Sequence, residues 1–584
     1  MADQPAWATM ENERLLLGSY QPLYEQTMAR VAEENLNARL WGRDASVWTE
    51  QELAAKEIQQ RLGWLNLPVD MRLEVGRLKA LKLELDALGI SDVVLLGMGG
   101  SSLAPEVLAE IIGPSADGFR LHVLDSTVPA QLFELVAQLP EVTLRHTVYI
   151  IASKSGTTAE PLALYAALRK RLQEAVGPEA WANHLIAITD PGTPLEATAT
   201  QQDFRSLYLN PSDIGGRFSA LSLYGLVPGA LLGIDLDELL RRGHQMSARC
   251  RATALPQAHP GLQLGAALGA LATAADLPAR DKLTLITSPR LASFGAWAEQ
   301  LIAESTGKQG MGILPIEGEP LDLLEAHGRG DRLFVYLRLD DDLNADVDAL
   351  ADALVAQGHP VIGLRLRDVY DLGAEFFRWE FATAVAGALL GINPFDQPNV
   401  ESAKAQARAS LQAYQEKGAL PEPEVTANEP PLSAYGLPGA PDSIAASVGQ
   451  LFAGRTERSY LAIMAYVERN QQTHAALQRL RRLVTEATNL PVTIGFGPRF
   501  LHSTGQLHKG GPDTGLFMQI TADDARDLAI PGKSYTLGLL KRAQSLGDLR
   551  ALQEAQRPVL GIHLGADVLA GLAALEAAIR KALP

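Results

Sequence analysis

Asp92-Val93-Val94-Leu95-Leu96-Gly97-Met98-Gly99-Gly100-Ser101-Ser102 decides how this chain folds. Its first half reads as a buried strand and its second as a glycine turn, and a helical pattern follows from Pro105 to Ile112. The theme repeats. Val148-Tyr149-Ile150-Ile151-Ala152 is a second apolar run, leading through a polar turn into a helix over Glu160 to Leu172, and Leu185-Ile186-Ala187-Ile188 is a third. It restarts at Lys282 to Thr287, before a helix around Leu291 to Ser305, with further strands at Leu333 to Leu337 and Pro360 to Leu364. Strands alternating with helices predict an α/β fold of two lobes, each a doubly wound parallel sheet.

Outward from these lobes the pattern weakens. Residues 1–75 show helical periodicity with tryptophans at Trp41, Trp48 and Trp64, and read as an N-terminal helical arm without visible chemistry. The lobes are expected at 76–255 and 256–416. Residues 417–442 are rich in Pro, Glu, Ala and Gly and read as a linker or surface excursion. Beyond them a helical stretch and two strands, Val492 to Phe496 and Pro558 to Ile562, complete a C-terminal extension (417–584) expected to pack on the second lobe.

At 584 residues the chain is too long for one core. A net charge of −17, spread along the chain, disfavours nucleic acid and anionic membranes as partners. The lone cysteine, Cys250, allows no internal disulfide and no cysteine-based metal cluster. No His/carboxylate set has metal-ligand spacing, so no metal or cofactor is expected. The start lacks the pattern of a secretory signal. The apolar stretch Glu375 to Ile392 is broken by Arg378 and Glu380 and reads as a buried helix rather than a membrane span. The expected compartment is the cytoplasm.

An anionic ligand in so acidic a chain needs a local site. Gly97 to Ser102 can aim backbone N–H groups and a helix N-terminus at a phosphate; the same glycines also suit a turn that merely packs strand on helix. Ser153-Lys154-Ser155-Gly156-Thr157-Thr158 adds four hydroxyls after the next strand, where helix capping alone would need one. Gln300 and Glu304 share a helix face by their spacing of four, before Lys308. Gln397 and Lys404 lie two helical turns apart. Arg217 follows Gly215-Gly216, and His502 lies in Leu501-His502-Ser503-Thr504-Gly505-Gln506. Taken singly, each of these is also compatible with an ordinary surface or core residue.

As an ordered set they resemble the phosphoglucose isomerase family. The resemblance rests on Gly97 to Ser101, Ser153 to Thr158, Gly215-Gly216-Arg217-Phe218-Ser219, Gln300 through Lys308, and Phe395-Asp396-Gln397 through Lys404. Ala38 to Asp44 and the long C-terminal segment are similar to the isomerase half of bacterial transaldolase/phosphoglucose isomerase fusions, here without the barrel; no eightfold βα repeat supports a transaldolase reading. The resemblance implies two SIS-type (sugar isomerase) lobes, a homodimer, and reversible isomerisation of glucose 6-phosphate and fructose 6-phosphate in glycolysis and gluconeogenesis. It implies that Ser101, Ser153, Ser155 and Thr158 bind the phosphate, with Gly100 and Lys154 also in contact with substrate. Glu304 would shuttle the proton between C1 and C2, Arg217 would stabilise the enediolate, and Gln300 and Gln397 would orient hydroxyls. Lys404 and a histidine would open the ring.

The histidine breaks the family's order. Its motif ordinarily precedes the Phe-Asp-Gln segment, but here it follows, at 501–506. A rearrangement resembling a permutation would return His502 to the site, within the chain or across a dimer interface; His327, in the usual place, is the rival. Two other functions are compatible with these residues, an isomerase of another sugar phosphate such as mannose 6-phosphate and a non-catalytic sugar-phosphate-binding SIS module. The second would have no use for Glu304 beside an anionic substrate.

Overall fold

Uninterrupted apolar runs need cover on both faces, and helices provide it around three sheets in the computed structural model, which describes residues 7–251, 259–326, 330–439 and 441–583. In the first sheet Arg120–Leu124, Asp92–Leu96, Thr147–Ala152, Leu185–Thr189 and Ser206–Leu209 lie side by side, all parallel. Every residue of Asp92–Leu96 and Thr147–Ala152 is buried. The chain adds its second strand on one side of the first and its third on the other. A topological switch point therefore falls between Asp92–Leu96 and Thr147–Ala152, and a crevice opens at their C-terminal ends. The glycine turn and the hydroxyl turn both leave from there.

The second sheet repeats the order with Leu314–Ile316, Lys282–Thr287, Arg332–Leu339 and Val361–Leu366. Its outer edge is closed by Glu13–Leu16 of the N-terminal arm, antiparallel, with Glu13 opposite Leu364. The rest of the arm is helical, and it wedges between the lobes. Trp64 packs against Phe218, Phe377 and Phe381, while the Trp48 indole N–H donates to Ala384 O at 2.9 Å.

The region after 417 differs most from its sequence reading. Where a linker or surface excursion is expected, Val425–Glu429 and Leu432–Tyr435 form a hairpin. The expected helical stretch is two helices, Ile444–Ala453 and Gln471–Thr488, on either side of the fully buried strand Tyr460–Tyr466. With Val492–Phe496, Gly515–Thr521 and Val559–His563 this strand builds a third parallel sheet in the same order, and the hairpin joins its edge antiparallel. The extension is thus a third doubly wound lobe. Its core, from Ala427 to Leu583, is its own, whereas one continuous core runs through the arm and both earlier lobes. The third lobe also packs on both neighbours. Ile530, Leu537 and Leu540 join the first lobe's core, and Phe500 and Leu507 cluster with Ala303, Leu314 and Ile316 of the second.

Leu372–Leu390 is the buried helix expected near 375–392, and among the described residues no helix is long and apolar enough to cross a membrane.

Candidate active site

The glycine turn is where three lobes meet. A Cβ at Gly100 would sit 1.9 Å from Gly216 O, so only glycine lets the first lobe's two turns touch. At Gly99, with φ of +54°, a Cβ would fall 2.7 Å from Gln300 Nε2 and 3.1 Å from His502 O. Ser101 closes this turn and is partly exposed. Gln300 belongs to the second lobe's helix Phe294–Thr306, and His502 to the third lobe's turn Arg499–His502.

Helical spacing puts Gln300 and Glu304 on one face, as expected: Gln300 Nε2 donates to Glu304 Oε2 at 3.2 Å and to His502 O at 2.7 Å. Gln300 Oε1 is buried and has no hydrogen-bond partner among the described residues, an acceptor available to a hydroxyl. Glu304 Oε1 lies 3.4 Å from Arg217 Nη1. Arg217 is almost wholly buried, and its guanidinium is held on every side. Nε donates to Ser305 Oγ at 2.7 Å, Nη1 to Gln397 Oε1 at 3.0 Å, and Nη2 to the carbonyls of Pro394 and Asp396 at 2.6 and 2.9 Å. Such a fork cannot swing away, and it fixes a positive charge beside the carboxylate. Lys308, the third residue of the spacing, is also buried, 2.9 Å from Asp396 Oδ1. Burial, then the nearby Arg217, pulls its ammonium down to about 7, against the pull of Asp396 and Glu304.

In the hydroxyl turn Ser153 Oγ and Thr158 Oγ1 are 2.9 Å apart, as are Ser155 Oγ and Thr157 Oγ1. Gly156, at φ of +64°, turns the chain where a Cβ would meet Leu195 N at 2.8 Å. The Lys154 ammonium points elsewhere, to Asp190 and, at 3.0 Å, to Ser212 O. Ser155, Thr157 and Thr158 line a cavity of about 440 Å³ together with Glu160, Lys404 and His502. Lys404 is about half exposed on the helix Val400–Lys417 and pairs with Glu401 at 2.9 Å.

His502 Nε2 lies 3.0 Å from Glu160 Oε1 within the same chain. Burial of Glu160 pushes its carboxyl up, but the attraction of His502 and its hydrogen bonds outweigh this and hold it below the usual carboxylate range. Sequence reading passed over Glu160, although an acidic residue at the start of the helix after a hydroxyl turn was a usable signal. It also passed over Glu299, which accepts from Ser503 Oγ at 3.2 Å, next to the histidine. Burial and then Glu317 raise the Glu299 carboxyl. His327 lies outside the described residues.

The family model described as phosphoglucose isomerase matches residues 84–312. A glucose-6-phosphate isomerase of Thermus thermophilus is 34% identical over 394 residues, covering 60% of this chain and 90% of that protein. The solved structure of a hypothetical protein, also from Thermus thermophilus, superposes with a TM-score of 0.58 at 29% identity, covering 68% of this chain and 99% of that one. A glucose-6-phosphate isomerase structure from Chlamydia trachomatis shares the fold, with a TM-score of 0.52 at 20% identity over 68% of this chain and 87% of that one. With nine-tenths of the Thermus enzyme's length matched at this identity, the chain belongs to the phosphoglucose isomerase family.

Proposed function

We propose that this protein interconverts D-glucose 6-phosphate and D-fructose 6-phosphate through an enediolate, with Glu304 as the base. The observation that carries the reading is the placement of the Glu304 carboxylate between Arg217 and Gln300, which also reaches the backbone of the histidine loop.

Aldose–ketose isomerisation takes a weakly acidic proton from beside a carbonyl and returns it to the neighbouring carbon. One carboxylate does both if it stays within hydrogen-bond reach of C1 and C2. Negative charge develops on the substrate oxygens, and the immobile guanidinium of Arg217 is set to meet it without reorganising, a contribution of about 3 kcal/mol in comparable sites. Ser101, Ser153, Ser155 and Thr158 hold the phosphate, whose binding energy positions the reacting carbons; Gly100 lets its turn close on Gly216, and Lys154, tied to Asp190 and Ser212 O, braces the hydroxyl turn. Gln300 and Gln397 orient hydroxyls. His502 and Lys404 exchange protons with the ring and anomeric oxygens to open the ring. Lys404 must leave Glu401 to do so.

In this reading the arm (1–75) braces two SIS-type lobes (76–255 and 256–416), and the part after 417 delivers the histidine. The protein acts in the cytoplasm on glycolytic and gluconeogenic flux as a homodimer, each chain using its own His502.

Glu304→Gln tests the assignment. Isomerisation should fall by several orders of magnitude while fructose 6-phosphate still binds, and turnover near the wild-type rate would refute the base. In the wild type, deuterium at C2 should exchange with water during turnover, whereas complete retention would favour hydride transfer.

A further inference from the structure

The His502–Glu160 pair does not stand alone. Glu160 Oε1, which faces the histidine, also accepts from Gln544 Nε2 at 2.7 Å. Gln544 sits on the helix Leu537–Glu554, 384 positions along the chain from Glu160, and lines the same cavity as the histidine. Its amide is not free to turn, because Thr127 Oγ1 donates to Gln544 Oε1 at 2.8 Å. Thr127 is fully buried in the first lobe, between the strand Arg120–Leu124 and the helix Pro129–Gln138. With the amide oxygen occupied by Thr127, only the NH₂ group can face the carboxylate.

We propose that Gln544 is a positioning residue for ring opening, locked by Thr127 so that it fixes the Glu160 carboxylate against His502. The inference rests on the role given to His502 above. A buried carboxylate needs more than one donor to stay ionised and in one rotamer. Here one donor is the imidazole itself and another is Gln544. Holding Oε1 in place commits His502 Nε2 as the donor toward Glu160, and so leaves Nδ1 as the nitrogen free to exchange a proton with the sugar. Three separate parts of the chain build this arrangement: the first lobe gives Thr127 and Glu160, the histidine loop gives His502, and a C-terminal helix gives Gln544.

Anomerisation of glucose 6-phosphate tests this, because it opens and recloses the ring without removing the C2 proton. Exchange NMR can follow it beside isomerisation. Gln544→Leu keeps the bulk and removes the donor. Anomerisation kcat should fall about tenfold, with KM little changed, as expected for loss of one hydrogen bond to a charged group. The acid limb of its pH profile should move up by about one pH unit, because a carboxylate with one donor fewer protonates more readily. Thr127→Val should produce the same shift in weaker form, and Thr127→Ser, which keeps the hydroxyl, should restore the wild-type profile. Should Gln544→Leu fail to fold, the two Thr127 variants decide the matter.

His502→Ala separates the two layers. If it leaves anomerisation intact, the histidine's assignment falls, and the inference with it. If it abolishes anomerisation while Gln544→Leu and Thr127→Val keep the wild-type rate and acid limb, the histidine stands and the role of Gln544 is overturned.

Discussion

The first and third lobes are built to one plan and do different work. In both, the first parallel strand is flanked by the second on one side and the third on the other, so each has a switch point at the C-terminal strand ends. In the first lobe that point carries glycines and four hydroxyls. In the third lobe the matching crevice, about 410 Å³, is lined by Glu134, Glu468, Asp523 and Asp524 against two cations, Arg526, which lies over the Phe133 ring, and Lys541, tied to Asp524 at 2.7 Å. The excess of carboxylates over cations there disfavours phosphate. The third lobe's contribution leaves instead from the loop after its second strand, where Arg499 docks on the first lobe and His502 reaches Glu160. Topology fixes where a crevice opens; the residues at its mouth decide whether an anion enters.

The comparison breaks most visibly if its charges are changed. Ser155→Asp puts a carboxylate in the first lobe's turn and should weaken fructose 6-phosphate binding by about a thousandfold, since like charges in contact cost several kcal/mol. Asp523→Asn in the third lobe should leave Kd unaltered in the same titration. Equal effects would mean that the phosphate is held elsewhere.

Next in size is the dock between these lobes. Arg499 Nη1 donates to Asp125 Oδ2 at 2.8 Å, and Nη2 pairs with Glu106. Asp125 also accepts from Ser102 Oγ at 3.2 Å, at the end of the glycine turn. Arg499→Ala leaves the largely buried Asp125 without its cation and Glu106 with Arg469 alone, and should cost about 3 kcal/mol in urea unfolding. Isomerase activity should fall with it, as the histidine loop loses its anchor.

A smaller effect sharpens the tie to the second lobe. Because the folded state raises the Glu299 carboxyl above its ordinary 4.5, the folded protein holds a proton that the unfolded chain has released. Stability from this group is therefore complete below the ordinary value and declines as pH rises toward the folded value. Glu299→Gln should flatten that decline between about pH 5 and 8 in denaturation curves. An unchanged slope would remove Glu299 as its source. The smallest change is expected at Glu401→Gln. Its pair with Lys404 is more than one-third exposed on both sides, so stability should move by less than about 0.5 kcal/mol.

Much of this was legible in the residues. Asp92–Leu96 and Lys282–Thr287 announced themselves because a buried parallel strand has no polar alternation to blur it, and a glycine or hydroxyl turn follows the strands of the first lobe. Gln300 and Glu304 meet because a helix brings every fourth residue to one face. Arg120–Leu124 was passed over because an edge strand with Arg and His exposes one side. Tyr460–Tyr466 was missed because Ala, Met and Leu suit helices as well as strands. The hairpin at 425–435 was hidden by prolines that read as linker. Gln544 carried no local signal at all: its meaning comes from Thr127 and Glu160, hundreds of positions away.

The arm's short strand has a practical consequence. Glu13–Leu16 occupies the open backbone of Val361–Leu364, which would otherwise offer its N–H and C=O groups to any passing extended segment. Shortening the protein from its beginning past Leu16 should therefore harm solubility before catalysis, with chains adding to one another along that exposed edge.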